Sequence, residues 1–319
     1  MNDFHPDLRT AARFLPRFTV NSRLRRLTNW LTRFRGIPKP PKADGLTIRD
    51  VSIVGPDGIG SLRIRLYCPQ KITGAVPALL WLHSGGFMTG SSETGERFNI
   101  ERAQELGIVV AAVDYRLAPE HPFPAPLDDC YTALLWLHVH ANGLGILPNK
   151  IAVGGDSAGG GLAAALALMA HDHKEVAVAF QLLIYPMLDD RTALRTDIDA
   201  SKALVWTAGS NAYGWSCYLG TKMGAVNVSH YGAPARRQDL SGLAPAWIGV
   251  GSFDVLRDES VLYASRLRDA GVPCELQVVE GAYHGFDVIS PKANVVRHFS
   301  QSQLTSLRQV LFATRSAGG

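Results

Sequence analysis

The stretch "IAVGGDSAGGGLAAALALMA", residues 151–170, sets a short apolar run directly against an alanine-rich run, with one hydroxyl, Ser157, at the junction among five glycines. The first run reads as a strand and the second as a helix, so Ser157 falls in a strand–turn–helix of pattern G-x-S-x-G. A residue on so sharp a turn has a strained backbone. Side chains two residues before or after it would collide with the strand and helix, and Gly155 and Gly159 remove those collisions. The turn lifts the Ser157 hydroxyl out of the sheet. It also aims the backbone N–H of Ala158, at the helix N-terminus, toward the same space. A phosphate cradle is the competing use of a glycine-rich loop, but the stretch has neither G-x-G-x-x-G spacing nor a P-loop lysine.

Eight runs have strand character: 46–54, 62–69, 78–83, 108–114, 150–155, 178–186, 246–251 and 274–280. The first two alternate polar and apolar residues, as half-exposed antiparallel edge strands do, whereas several later ones are continuously apolar, as in a parallel sheet covered on both faces. Helical stretches at 95–106, 125–141, 158–171, 255–270 and 293–313 lie between or after the later strands. This alternation specifies an α/β fold with right-handed crossovers. Residues 188–225 interrupt it with a polar and aromatic insertion containing Trp206, Trp215 and Tyr218, read as a lid element. At the other end, Leu24, Leu27, Trp30, Leu31 and Phe34 recur at helical spacing with arginines between them, until "GIPKPP" stops the segment. The favoured reading is a helix laid over the main domain; a membrane-surface helix or an organellar presequence has the same pattern.

A chain of 319 residues, 46% hydrophobic, suits one large domain with an appended piece. Residues 1–44 hold ten Arg or Lys against three Asp or Glu, and the remainder is close to neutral, which argues against a nucleic-acid-binding body. Cys68, Cys130, Cys217 and Cys274 are scattered without C-x-x-C spacing, as reduced thiols of a cytoplasmic protein are. No apolar run reaches the roughly 20 residues of a membrane span, so no stable membrane insertion is expected. No His/Asp/Glu/Cys cluster has metal-ligand spacing, and neither a metal nor an organic cofactor is expected.

A serine hydroxyl attacks an ester only with a histidine base oriented by a carboxylate. Of ten histidines, His284 stands out, because "CELQVVEGAYHGFDV" delivers it on a loop just after an apolar strand. "PAWIGVGSFDVLRDES" places Asp254 just beyond another strand, while its rivals Asp258 and Glu259 lie a turn into the following helix, where capping or solvent exposure is expected. Both side chains thus emerge at strand C-terminal ends, where open α/β sheets place their sites. The order Ser157, Asp254, His284 is the chain order expected of such a triad on this scaffold. "ALLWLHSGGFMTGS" ends a strand in a loop whose Gly85 and Gly86 are candidate oxyanion donors beside Ala158.

With these pieces in order, the chain resembles the hormone-sensitive-lipase-like family of α/β-hydrolase esterases, the bacterial family IV carboxylesterases. "GDSAGG" is similar to the nucleophile motif of the GDSAG subgroup, "DYRLAPEHPFPAPLDD" (114–129) to a block typical of the family, and "DVLRDE" and "YHGF" to its acid and base motifs. The resemblance implies an eight-stranded, mostly parallel sheet flanked by helices, with a helical cap made of residues 1–44 and 188–225 around a catalytic domain of 45–319. It implies Ser157 as nucleophile, His284 as base, Asp254 as orienting acid, and Gly85, Gly86 and Ala158 as oxyanion hole. The implied activity is hydrolysis of short- to medium-chain acyl esters through an acyl-enzyme, by an enzyme that is a homodimer in many relatives. An amidase or formamidase with the same triad is the near alternative, and a catalytically silent binding protein the distant one. The family loop usually reads H-G-G-G, and Ser84 replaces its first glycine. A serine there is strained if the position needs positive φ, and it narrows the space for bulky alcohols. His83, Glu120 and Asp128 are read as loop braces.

Overall fold

The structure is a computed structural model describing residues 3–313 apart from 16, 18, 57, 59, 72 and 200; positions 314–319 of the expected catalytic domain lie outside the described residues. Eight strands form one sheet: β1 (Leu46–Val54), β2 (Ser61–Pro69), β3 (Val76–Leu82), β4 (Val109–Val113), β5 (Ile146–Asp156), β6 (Gln181–Ile184), β7 (Ala246–Gly251) and β8 (Cys274–Val279). Their order is β1-β2-β4-β3-β5-β6-β7-β8. β2 runs antiparallel to β1 and β4, and every other pair is parallel. The helices are α1 (Arg9–Phe14), α2 (Ser22–Arg35), α3 (Glu96–Leu106), α4 (Ala125–Val139), α5 (Ala158–His173), α6 (Ala208–Leu219), α7 (Arg257–Asp269), α8 (Phe286–Ile289) and α9 (Asn294–Leu311). Among the described residues, no helix is long and apolar enough to cross a membrane.

Alternate residues of the central strands enter two separate cores. Leu79, Trp81, Leu182 and Trp247 pack with Leu106 of α3 and Phe299 of α9 on one face. Leu80, Leu82, Val153 and Ile248 pack with Leu134 of α4, Leu166 of α5 and Leu267 of α7 on the other. That double cover is why these strands are continuously apolar. From β3 the chain crosses to β4 on one side, and from β5 to β6 on the other. The neighbours β3 and β5 therefore flank the topological switch point, and the loops at their C-terminal ends face one crevice.

The polar face of β2 is not solvated, contrary to the half-exposed reading. The Arg65 side chain is fully buried, pairing with Asp50 and Glu96 and donating to the carbonyl of Pro38 at 2.7 Å. Arg63, two residues earlier on the same face, pairs with Glu93 and Asp114. The linker after α2 is thus tied to the sheet by a charge-assisted bond at Pro38.

The N-terminal segment differs more. Phe4 is buried edge-on against Phe253 at 5.3 Å and near Tyr283 at 6.1 Å, and the His5 amide donates to the carbonyl of Gly281. Helix α2, by contrast, meets the body through polar groups: Arg25 reaches the Glu120 carboxylate at 2.8 Å, and Asn29 donates to the Met88 carbonyl at 3.0 Å. Its apolar repeat, expected to lie on the domain, turns outward, with Leu27, Trp30, Leu31 and Phe34 all exposed.

Candidate active site

Ser157 links β5 to α5 with φ 57° and ψ −118°, a conformation costly for a residue with a Cβ. The surroundings hold it there: its amide donates to the Ile184 carbonyl at 2.9 Å, and its own carbonyl accepts from Gly161 and Met187, both at 3.0 Å. A Cβ on Gly155 would lie 2.3 Å from the Gly159 backbone, and one on Gly159 would lie 2.0 Å from the Leu82 carbonyl oxygen. The glycines therefore let α5 begin against the end of β3, which brings the loop after β3 beside the elbow.

The three sequence-predicted triad residues meet. Ser157 Oγ lies 3.1 Å from His284 Nε2, and His284 Nδ1 lies 2.7 Å from Asp254 Oδ2. The other Asp254 oxygen accepts the Leu256 amide at 2.9 Å, so the carboxylate cannot turn away. Asp254 and His284 ride on loops after β7 and β8, whose adjacency in the sheet sets their spacing. The Asp254 side chain is fully buried and that of His284 nearly so. The rivals are otherwise engaged. Asp258 pairs with Arg195 and Arg257, and Glu259 is buried rather than capping or solvated, accepting the Leu188 amide at 2.7 Å. Burial pushes the Glu259 carboxyl up to about 8, opposed by Thr192 and the Leu188 amide.

The loop after β3 takes φ +129° at Gly85 and +62° at Gly86. The carbonyl of Gly85 accepts from the amides of Met88 and Thr89 and from the Thr89 hydroxyl. In a trans peptide the N–H is antiparallel to the C=O, so the Gly86 N–H points the opposite way, out of the loop. The Ser84 carbonyl accepts from His83 Nδ1 at 2.7 Å, which fixes the Gly85 N–H by the same logic. His83 is stacked on Tyr115 at 4.1 Å, and burial pushes its imidazole down toward the neutral form, as a brace rather than a base. Ser84 is not among the positive-φ residues, so a serine stands there without backbone strain. Ala158, the first residue of α5, has an N–H that a helix leaves without an intrahelical partner. Trp206 lies over Gly86, where a Cβ would come 2.4 Å from its ring, and its ring centroid is 6.0 Å from that of His284.

Sequence reasoning missed a buried polar layer under the triad. Tyr185, at φ 33°, tilts its ring against His284 at 4.6 Å and donates to Asp287 Oδ1 at 2.9 Å. Arg102, 4.0 Å over the Trp81 ring, faces Asp287 and Asp156, the residue before Ser157. No spacing rule announces this set, although Asp156 lies inside "GDSAG" and Asp287 three residues beyond His284. Burial, with the neighbouring Asp287 adding, lifts the Asp156 carboxyl to about 6, while Ser84 and Arg102 oppose the rise. Asp156 Oδ1 has no hydrogen-bond partner among the described residues. A raised folded pKa means that the native state binds more protons than the unfolded chain between the ordinary carboxyl value and about 6. Asp156 therefore lowers stability as pH rises through that window, by on the order of 2–3 kcal/mol. Asp156→Asn is expected to remove this slope and to gain on the parent between pH 4 and pH 7, measured by urea unfolding at both. A parent–variant difference independent of pH would contradict it.

The sheet order, the elbow and the Ser–His–Asp contact define an α/β-hydrolase. Residues 79–288 match the family described as alpha/beta hydrolase fold. Esterase LipI of Mycobacterium tuberculosis is 33% identical over 283 residues, 88% of this chain and 87% of its own. Ethyl acetate hydrolase of Pseudomonas putida is 35% identical over 248 residues, covering 75% of each chain. The solved structure of a bacterial heroin esterase superposes with a TM-score of 0.87 at 40% identity, covering 97% of this chain and 98% of that one. The chain belongs to the alpha/beta hydrolase family, among the hormone-sensitive-lipase-like carboxylic ester hydrolases.

Proposed function

We propose that this carboxylic ester hydrolase cleaves short- to medium-chain acyl esters through an acyl-enzyme on Ser157. The reading rests on the continuous Ser157–His284–Asp254 contact, at 3.1 and 2.7 Å. In the proposed sequence, Ser157 Oγ attacks the ester carbonyl carbon as its proton passes to His284 Nε2. The oxyanion accepts the N–H groups of Gly85, Gly86 and Ala158. The tetrahedral intermediate collapses and breaks the carbon–oxygen bond, and the departing alcohol takes the proton from His284. Water then attacks the acyl-enzyme, giving its proton to the same nitrogen, and the second collapse releases the acid and restores Ser157 Oγ–H. Asp254 accepts from Nδ1–H throughout and offsets the imidazolium charge. We place the chain in the GDSAG subgroup on "GDSAG" at 155–159.

Residues 1–44 and 188–225 form the cap in this proposal. Support comes from the Val20 amide donating to Ser210 Oγ at 2.9 Å, which joins the two segments, and from Trp206 over Gly86. Trp215 and Tyr218 of α6 are buried around Phe87, with Phe87 and Tyr218 stacked at 4.0 Å, so this part of the cap is a packed wall. A walled pocket rewards each added acyl methylene by up to about 0.8 kcal/mol until the wall is met. The expected kcat/KM maximum therefore falls at acyl chains of about four to eight carbons, a length the family resemblance implies, and ethyl acetate in the name of one relative sits on the short side of it. A panel of p-nitrophenyl esters, anilides and formamides, run beside Ser157→Ala, tests the whole reading. Anilides or formamides turned over faster than every ester would reassign the substrate class. A rate still climbing at the longest chains would remove the wall.

A further inference from the structure

We propose that helix α2 is a docking face for an anionic lipid surface, seating the enzyme on a membrane through Leu27, Trp30, Leu31 and Phe34. At 100° per residue these four positions fall within one arc of about 100° of the helix. Their exposures are 53%, 58%, 42% and 78%, and Trp30 stacks on Phe34 at 5.6 Å, so the stripe is contiguous. Arg25 and Asn29 occupy the opposite arc and hold the helix to the body, so the outward aim of the stripe is fixed by specific bonds. An amphipathic helix in a soluble domain ordinarily buries its apolar arc; here the polar arc is docked and the apolar arc left open.

Charge selects the occupant. Residues 8–43 contain ten Arg or Lys and no Asp or Glu. Arg13, Arg17, Arg23, Arg26, Lys39 and Lys42 are exposed. A two-fold contact between copies through this face would set one basic segment against another, which disfavours a second copy as the cover. Leu, Trp and Phe along one arc of a cationic helix match the interfacial layer of an anionic bilayer, where rings sit at headgroup depth and basic side chains meet the phosphates. Small apolar esters partition into the same layer, which gives the enzyme a reason to be there.

The test is sedimentation of the full-length protein with vesicles of phosphatidylcholine, alone or with about 30% phosphatidylglycerol. The protein is expected to sediment with the anionic vesicles and much less with the neutral ones. The double variants Trp30→Ala/Phe34→Ala and Arg23→Glu/Arg26→Glu should each lower that partition about tenfold or more. Because all four side chains are exposed, their thermal midpoints should stay near that of the parent, and Phe34→Ala alone serves if a double variant melts early. No association with anionic vesicles overturns the proposal, as does equal binding by parent and variants or equal binding to both vesicles. A solution dimer that Trp30→Ala/Phe34→Ala converts to monomer would assign the face to a second copy instead.

Discussion

Ser157→Ala is expected to lower kcat by about 10⁴-fold or more while leaving the fold intact. The variant removes Oγ and with it the 3.1 Å contact to His284, but none of the bonds that hold the elbow. Those run through the backbone, from the Ser157 amide to Ile184 and from Gly161 and Met187 to the Ser157 carbonyl. Alanine keeps a Cβ at φ 57°, so the backbone strain is unchanged and stability should move by less than about 1 kcal/mol. Ser157→Gly makes the contrast: equally inactive, it relieves the positive-φ strain and should melt higher than Ser157→Ala. Thus the site conformation costs stability in the parent, and the neighbours bear it. A phosphonate ester should add its phosphonyl group to the parent at Ser157 and leave Ser157→Ala unlabelled, read by mass spectrometry of the peptide. An adduct elsewhere, or a Ser157→Ala enzyme within tenfold of the parent, would end the nucleophile assignment.

The sheet and the triad candidates were legible because each is written locally. Continuous apolar runs mark strands covered on both faces, and Gly155 and Gly159 mark a turn where a Cβ would strike backbone. Asp254 and His284 are legible because a strand end followed by a loop points a side chain at one known edge. What could not be read depends on partners far apart in the chain. Nothing near Arg65 says that Asp50 and Glu96 will bury it, so the alternation of β2 looked like a solvated face. Glu259 looked like a helix-start acid, yet the amides of Leu188 and Asp189 draw it inside. Periodicity showed that α2 has an apolar arc but carried no sign of which arc meets the body. That was decided by Glu120 and the Met88 carbonyl, which offer partners to Arg25 and Asn29 and none to leucine or phenylalanine. The layer of Asp156, Tyr185 and Asp287 is hidden for the same reason, since its members come from the ends of β5 and β6 and from α8.

Asp254→Asn should lower kcat by about 10³- to 10⁴-fold, although it changes one atom and keeps the volume. In the parent, Oδ1 accepts the Leu256 amide at 2.9 Å and Oδ2 faces His284 Nδ1 at 2.7 Å, so both carboxylate oxygens must accept. An amide has one accepting oxygen, and either orientation fails. With its oxygen kept toward Leu256, the NH2 group faces Nδ1 and holds that nitrogen unprotonated. The ring proton then sits on Nε2, 3.1 Å from Ser157 Oγ, where it blocks the lone pair that must take the serine proton. With the amide turned over, the tautomer is correct but the NH2 group meets the Leu256 N–H, a buried donor against a donor. Neither orientation offsets an imidazolium charge as the carboxylate does. Rescue from nearby acids is closed, because Asp258 is paired with Arg195 and Arg257 and Glu259 with backbone amides. In the proposed mechanism Ser157 and Asp254 act as a unit, so Ser157→Ala/Asp254→Asn should be no slower than Ser157→Ala alone. Steady-state kcat of the three variants on one activated ester decides the matter: an Asp254→Asn enzyme within tenfold of the parent would show that His284 takes its orientation from elsewhere, with the tilted ring of Tyr185 the next side chain to test.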